Sequence, residues 1–369
     1  MEPLDQDPGN AVSREGRGRR SARSSVLAGF CPAALLLLFL HLPLAVVSAT
    51  GLRETPSPQD LTLAVPLPPA PIELPARVVR IALLAGEGPG DPLRRGAEAA
   101  VRDINARAAA GSQVVLLREG ALPERSPRVL DLQINQVENA KRREAAAIVV
   151  DPVDAEGIAP YLESAARAGI GIFTVNSPVG SDRITSHIAT KSDEATATVV
   201  DELVALIGSP SVVAIISGPE AVPQNRARRE GLLARFRRYH PETRILLPLP
   251  GGAATEEAAQ AAVTDLLGAG GRIHAILATD RVSSSGAARG VARAGRSGEV
   301  VVIGFDQEDN LLRGELPRGA LQGYLEESPY TVGYVAIMRA LDSLRGEAVP
   351  PDVAIPYRFV RADFPLLEQ

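Results

Sequence analysis

Ala145–Asn176 reads AAAIVVDPVDAEGIAPYLESAARAGIGIFTVN. A short apolar run, Ala145–Val150, ends on Asp151. From about Asp154 to Ala168 the apolar residues fall at helical intervals, and the pattern stops at Gly169, a residue suited to the position just past a helix. A second apolar run, Ile170–Val175, ends on Asn176. Strand, helix and strand in so short a stretch form a βαβ unit with parallel strands. Strands this continuously apolar are covered on both faces.

The same alternation continues in both directions. Upstream, a strand over Val78–Leu84 is followed by a loop, Gly86–Gly90, and a helix to about Arg107. Asp91 caps that helix and Pro92 opens it, because proline lacks the N–H that has no helical partner there. A strand at Val114–Leu117 follows, and Ser126-Pro127 repeats the cap-plus-proline start for a helix to about Arg143. Downstream, the pattern restarts after Ser177-Pro178 with a short strand, Ile184–Ala189. Helices are expected at about 192–207, 224–238, 255–267, 283–294 and 329–344, and strands at 212–217, 244–247, 273–277, 300–303 and 321–325. A final extended stretch covers Val353–Val360.

The chain has 369 residues, which at about 150 residues per domain allows two domains and an extra segment. The alternating body is too long for one sheet, so two doubly wound α/β lobes are favoured over an eight-stranded barrel of the same units. The extra segment is N-terminal. Arg14, Arg17, Arg19, Arg20 and Arg23 precede an apolar run, Val26–Val47, that ends in small residues at Ser48-Ala49. That order is a secretory signal over 1–49; an uncleaved membrane anchor is the alternative, since about 20 apolar residues span a bilayer. Residues 50–75 (TGLRETPSPQDLTLAVPLPPAPIELP) are proline-rich and aperiodic, and read as a semi-rigid tether.

Composition excludes several classes. The single cysteine, Cys31, lies within the signal, so neither a disulfide framework nor a cysteine zinc site is expected. The four histidines, His41, His187, His240 and His274, are scattered, and no metal or cofactor is expected. The net charge of −5 argues against nucleic acid. No GxSxG, HExxH or GxxxxGK[ST] motif occurs, so a hydrolase or P-loop enzyme is not indicated. Gly86-Glu87-Gly88-Pro89-Gly90 lacks the spacing of a dinucleotide loop, and Glu87 would repel a phosphate. The arginines of 226–238 read as a solvated helix face.

In open α/β sheets, ligands bind beyond the carboxyl ends of the strands. Glu87 and Asp91 follow the first strand, Asp151 the third and Asn176 the fourth. Thr279-Asp280 and Asp306 hold matching places in the second half, and Arg226 starts the helix after the strand ending at Ser217. Asp91 also reads as a helix cap, and of Asp151 and Asp154 at least one does so. Carboxylates, amides and one guanidinium suit hydrogen bonding to a hydroxyl- or amine-bearing ligand.

Several segments resemble the ribose/galactose-binding group of type I periplasmic binding proteins: AIVVDPVD (147–154), AGIGIFTVN (168–176), SHIA (186–189), RARREG (226–231), ILATD (276–280), VIGFD (302–306), and Ser328-Pro329-Tyr330 with Gly333-Tyr334. The resemblance covers Val78 to Phe359 and implies two doubly wound lobes, joined by three crossings, that close on a ligand. It places the first lobe at 76–189 plus about 327–350 and the second at 190–326 plus about 351–369. It puts sugar contacts on Asp151, Asn176, Arg226, Thr279, Asp306 and Glu327. Where such binders commonly offer a stacking aromatic, this chain has Pro89-Gly90. Glu87, Asp91, Asp151, Asp306 and Glu327 together would make an acidic cleft for a modified sugar, a polyol or a cationic small molecule.

The resemblance implies an exported, monomeric solute-binding protein that serves the membrane permease of an ABC-type importer. A protein reporting to a membrane receptor or sensor kinase is the alternative. A transcriptional regulator of the same fold would need a helix-turn-helix before the first lobe, where this chain has its apolar signal and tether.

Overall fold

The computed structural model describes residues 70–85, 91–120, 122, 128–209, 211–220, 222–307, 312–314 and 320–362. The signal, most of the tether and Glu87 lie outside the described residues, as does the Ser126-Pro127 start.

Strands whose every residue is apolar can be covered on both faces, and here they are. The first sheet has the order β11-β5-β4-β3-β1-β2. Its strands are β1 (Val78–Leu84), β2 (Gln113–Arg118), β3 (Ala147–Val150), β4 (Gly171–Val175), β5 (Ser186–Ala189) and β11 (Asp352–Ala354). All its pairings are parallel. Helices α1 (Pro92–Arg107) and α8 (Pro329–Leu344) pack on one face with Ile81 and Leu83. Helices α2 (Val129–Arg142) and α3 (Ala155–Arg167) pack on the other with Ala82 and Leu84. Consecutive residues of β1 therefore feed opposite cores, as the two-residue period of a strand requires.

The second sheet has the order β12-β10-β9-β8-β6-β7. It contains β6 (Val212–Ile216), β7 (Arg244–Leu246), β8 (Ala275–Ala278), β9 (Val301–Gln307), β10 (Gly323–Glu327) and β12 (Arg358–Arg361). Helices α4 (Ser192–Ile207) and α5 (Pro223–Tyr239) cover one face, and α6 (Glu256–Gly268) and α7 (Arg281–Arg293) the other. Two open sheets, each with its own pair of cores, replace the barrel alternative. Among the described strands only β12 runs antiparallel, against β10.

The helix starts follow the cap chemistry of the sequence. Asp91, Asp154, Thr255, Asp280 and Ser328 each accept a hydrogen bond from a backbone N–H in the first turn of α1, α3, α6, α7 and α8. Helix α7 begins two residues before the expected Ser283, because Asp280 and Ser283 form a reciprocal capping box.

Four expectations change. β9 runs on through Gly304–Gln307 rather than ending at Ile303, and Glu326 and Glu327 lie inside β10 rather than beyond it. The extended stretch at 353–360 is split: β11 joins the first sheet beside β5, and β12 joins the second. Asp352–Ala354 therefore belongs with the first sheet, not with the second lobe. The tether ends sooner than residue 75, for Ile72 is 0% exposed. Ile72 donates to Arg107 O (2.7 Å) and accepts from Ala109 N (3.1 Å), which joins it to the end of α1.

Three segments connect the sheets: 190–191, 328 and 355–357. Hydrogen bonds and an ion pair join residues in or beside them. Ile355 N donates to Ala189 O (2.9 Å), His187 N to Pro351 O (2.8 Å) and Ser186 Oγ to Pro350 O (2.7 Å). Glu326 at the end of β10 pairs with Arg358 at the start of β12. Among the described residues no helix is long and apolar enough to cross a membrane.

Candidate functional site

Parallel strands deliver their last residues to one edge of each sheet. At that edge of the first sheet, Asp151 follows β3 and Asn176 follows β4. Asn176 has a φ of +58°, a left-handed conformation that asparagine tolerates better than most residues. Its Nδ2 donates to Asp151 Oδ2 at 2.7 Å. The turn beneath is held by Gln133 of α2, which is wholly buried. Gln133 Nε2 donates to Asp151 O (2.7 Å), and its Oε1 accepts from Val153 N (3.1 Å). Of the two aspartates bracketing that turn, Asp154 is the helix cap and Asp151 the strand-end residue. Asp91 accepts from Arg94 N at 3.0 Å and so caps α1, as the sequence leads one to expect.

The second sheet presents a more densely bonded edge. Thr279 is fully buried after β8, and its Oγ1 accepts from Gly218 N at 3.0 Å, joining the ends of β8 and β6. Gly218 has no room for a side chain: a Cβ there would sit 1.8 Å from Asp280 Oδ2. Asp280 accepts from Ser283 N (2.7 Å), Ser283 Oγ (2.6 Å) and Asn225 Nδ2 (3.1 Å). Its carboxylate thus serves the wall itself. Asp306, 3% exposed in β9, accepts from Leu312 N at 2.8 Å.

Glu327 is not the open carboxylate that an acidic cleft requires. Its side chain is 8% exposed and pairs with Arg228, itself 6% exposed, and it accepts from Gln224 Nε2 at 3.1 Å. Arg228 also donates to Thr279 O at 2.7 Å and lies 4.6 Å from the centre of the Phe305 ring. Sequence reasoning singled out Arg226, which stands exposed on α5 two residues earlier. The inward face of α5 is Asn225, Arg228, Leu232 and Phe236. That helical spacing was visible in the sequence and picks Arg228 out of RARR as the residue aligned with the apolar ones.

The structure therefore gathers Asp151 with Asn176 on the first sheet, and Thr279, Asp280, Asp306 and Glu327 on the second. Asn225, Gln224 and Gln133 join them, none of which sequence reasoning put at the site; Arg228 joins them too and, being buried, departs from the solvated helix face expected of the arginines of 226–238. Among the described residues no group of His, Cys, Asp and Glu is placed to hold a metal ion. Surface depressions elsewhere on the second lobe are remote from these strand ends; one is lined by Leu233, Phe236, His240 and Leu247.

Two doubly wound lobes on three crossings, each with hydrogen-bonding side chains at its strand ends, make a hinged two-lobed binding protein. The model of the periplasmic binding protein domain matches residues 91–348, well over half of the chain, and the chain belongs to that family. A xylitol-binding protein of Mycolicibacterium smegmatis is 24% identical over 180 residues. That match covers 48% of this chain and 51% of the relative, so it spans about half of each. A carbohydrate transporter solute-binding protein from Agrobacterium radiobacter, in complex with D-arabinose, superposes with a TM-score of 0.63 at 24% identity, covering 78% of this chain and 95% of that one. A solute-binding protein from Bacillus halodurans with bound myo-inositol gives 0.63 at 21% identity, with the same coverage.

Proposed function

We propose that the chain is an exported solute-binding protein that captures a small polyhydroxylated molecule, a sugar or a polyol, between its lobes. The observation that carries this reading is that polar side chains gather at the carboxyl strand ends of both sheets: Asp151 with Asn176 on the first, and Asp280 with Asn225, beside Asp306, on the second. Each lobe alone offers half of a hydrogen-bonding shell. A ligand touching both favours the closed arrangement by its extra affinity for that state and by no more. Nothing in the set supplies a nucleophile with an adjacent base, so the reading is capture without chemistry.

Xylitol, D-arabinose and myo-inositol, the molecules named for the relatives, share a row of hydroxyls and no charge. The strand ends here suit the same chemistry, because carboxylates and amides accept from hydroxyls while arginine donates. The closed form would be recognised by the membrane permease of an ABC-type importer, with the protein acting as a monomer outside the cytoplasm.

A thermal-shift panel of pentoses, hexoses, polyols, amino sugars and polyamines tests the reading. A ligand at about 100 times its Kd stabilises by about 2.7 kcal/mol. A shift with a neutral sugar or polyol is expected. No shift with any neutral member, or a shift with polyamines alone, overturns it.

A further inference from the structure

Two of the three crossings leave the first sheet from adjacent strands: 190–191 follows β5, and 355–357 follows β11. His187 of β5 is in register with Asp352 of β11 on one side and with Thr174 of β4 on the other. In-register residues of neighbouring parallel strands point to the same face, about 4.8 Å apart, so the three side chains form one row. Thr174 Oγ1 lies 2.9 Å from His187 Nδ1. A hydroxyl can donate to a neutral ring or accept from a protonated one, so this contact serves both states. Asp352 also faces Lys191, with 3.7 Å between Oδ2 and Nζ. Lys191 immediately precedes α4, which packs on the second sheet. The pair therefore ties a strand of the first sheet to the far end of the first crossing. Asp352 is the charged group that acts on the ring. Charges on the neighbouring elements are engaged with other partners or exposed: Glu163 of α3 with Ser181 and Arg167, Asp342 of α8 with Arg339, and Asp182 and Arg183 in the turn before β5.

We propose that His187 is a proton-sensitive element of the hinge: protonation of its ring draws Asp352 away from Lys191, frees the first crossing and weakens ligand capture in acid. This rests on the reading of the two lobes as closing on a sugar or polyol. While the ring is neutral, the Asp352 carboxylate attracts Lys191 across the crossing. A protonated ring sets a second cation in the same row, and the carboxylate divides between the two. A looser crossing admits more open arrangements, and a ligand must overcome that added freedom when the lobes close. Burial keeps the ring neutral until the pH falls below 6.5. The device is therefore silent at neutral pH and acts between about pH 6.5 and 5.

The test has one arm with a ligand and one without. Xylitol affinity is measured by calorimetry on the purified protein at pH 7.5 and pH 5. The wild-type protein is expected to lose about threefold at pH 5, the worth of one partly exposed ion pair. His187→Gln keeps a hydrogen-bonding side chain beside Thr174 and should bind as wild type at pH 7.5 without the drop in acid. Lys191→Met should bind about threefold more weakly at pH 7.5 and show no further drop. Equal drops in wild type and His187→Gln overturn the proposal, because other groups then titrate; so does a full drop in Lys191→Met. In the second arm, the ring titration of His187 is followed by NMR in the ligand-free protein and assigned by its loss in His187→Gln. If the ring and Lys191 compete for Asp352, Lys191→Met moves that titration to higher pH and Asp352→Asn to lower pH. A titration that moves in neither variant overturns the competition. If His187→Gln does not fold, Lys191→Met and Asp352→Asn decide by the same comparisons. Should xylitol and every neutral member of the thermal panel fail to bind, the capture reading fails, while the NMR arm still judges the competition for Asp352 by itself.

Discussion

Gln133 shows what a single buried amide can hold. Both ends of its side chain are engaged with the turn that presents Asp151. Gln133→Leu keeps the bulk but leaves the Asp151 carbonyl and the Val153 N–H without this partner in a partly buried place. A loss of about 1–3 kcal/mol is expected for such unsatisfied groups, read by urea denaturation, together with weaker ligand binding as Asp151 and Asn176 lose their support. Unchanged affinity in the folded variant would remove Gln133 from the site. Nothing in the sequence marked this residue, since a glutamine on a helix ordinarily faces water. Its partner turn is 18 residues away, and only the packing of α2 beside β3 brings the two together. Arg228 was hidden differently. Composition groups it with its exposed neighbours, while the period of α5 separates it from them.

At the scale of elements, α1 and α8 approach so closely that two glycines are required. A Cβ on Gly96 would lie 1.9 Å from Tyr330 O, and one on Gly333 would lie 1.9 Å from Leu93 O. Glycine to alanine inside a helix ordinarily gains about 1 kcal/mol from propensity. Here overpacking against rigid backbone, costing about 1–3 kcal/mol, should reverse the sign. Gly96→Ala is expected to lower Tm, whereas Gly268→Ala, with open space around it, should not. A raised Tm for Gly96→Ala would mean that the two helices can separate without loss. Element order was largely readable, because apolar runs too short for helices alternate with amphipathic stretches that carry their own caps. What could not be read were pairings without local signature. β11 and β12 are three and four residues long, and adjacent in sequence, yet they belong to different sheets. Ile72 looked like part of a proline-rich tether, and its burial comes from packing into the core that β1, α1 and α8 share.

For the whole molecule, a titratable group lies beside the crossings, in the strand that precedes the first of them. His187 lies in β5, with Nδ1 2.9 Å from Thr174 Oγ1. Burial holds its pKa below the ordinary 6.5, against the opposing pull of Asp352. Asp352 in turn faces Lys191 across 3.7 Å. A histidine that folds in its neutral form contributes stability fully above the unfolded pKa. That contribution is lost as pH falls below about 6.5 toward the folded value, where the unfolded chain takes up the proton first. Wild-type stability should therefore decline between pH 6.5 and 5 more steeply than that of His187→Gln, measured by denaturant midpoints across that range. Parallel slopes would show that the ring titrates alike in both states.

The Ile72 seam has a consequence for where the chain leaves its folded body. Ile72 lies against the end of α1 and near the start of β2, at the edge of the first sheet remote from Asp151 and Asn176. Because β12 is antiparallel to β10, Arg361 lies opposite Gly323, again at the remote edge of its own sheet. Both ends of the described chain thus sit at outer poles, while the crossings sit at the inner edges. Poles far from a pivot travel farthest when the halves rotate. Donor and acceptor dyes placed near residues 70 and 362 should change their transfer efficiency on capture and leave the mouth unobstructed, which makes the two ends a built-in gauge of closure.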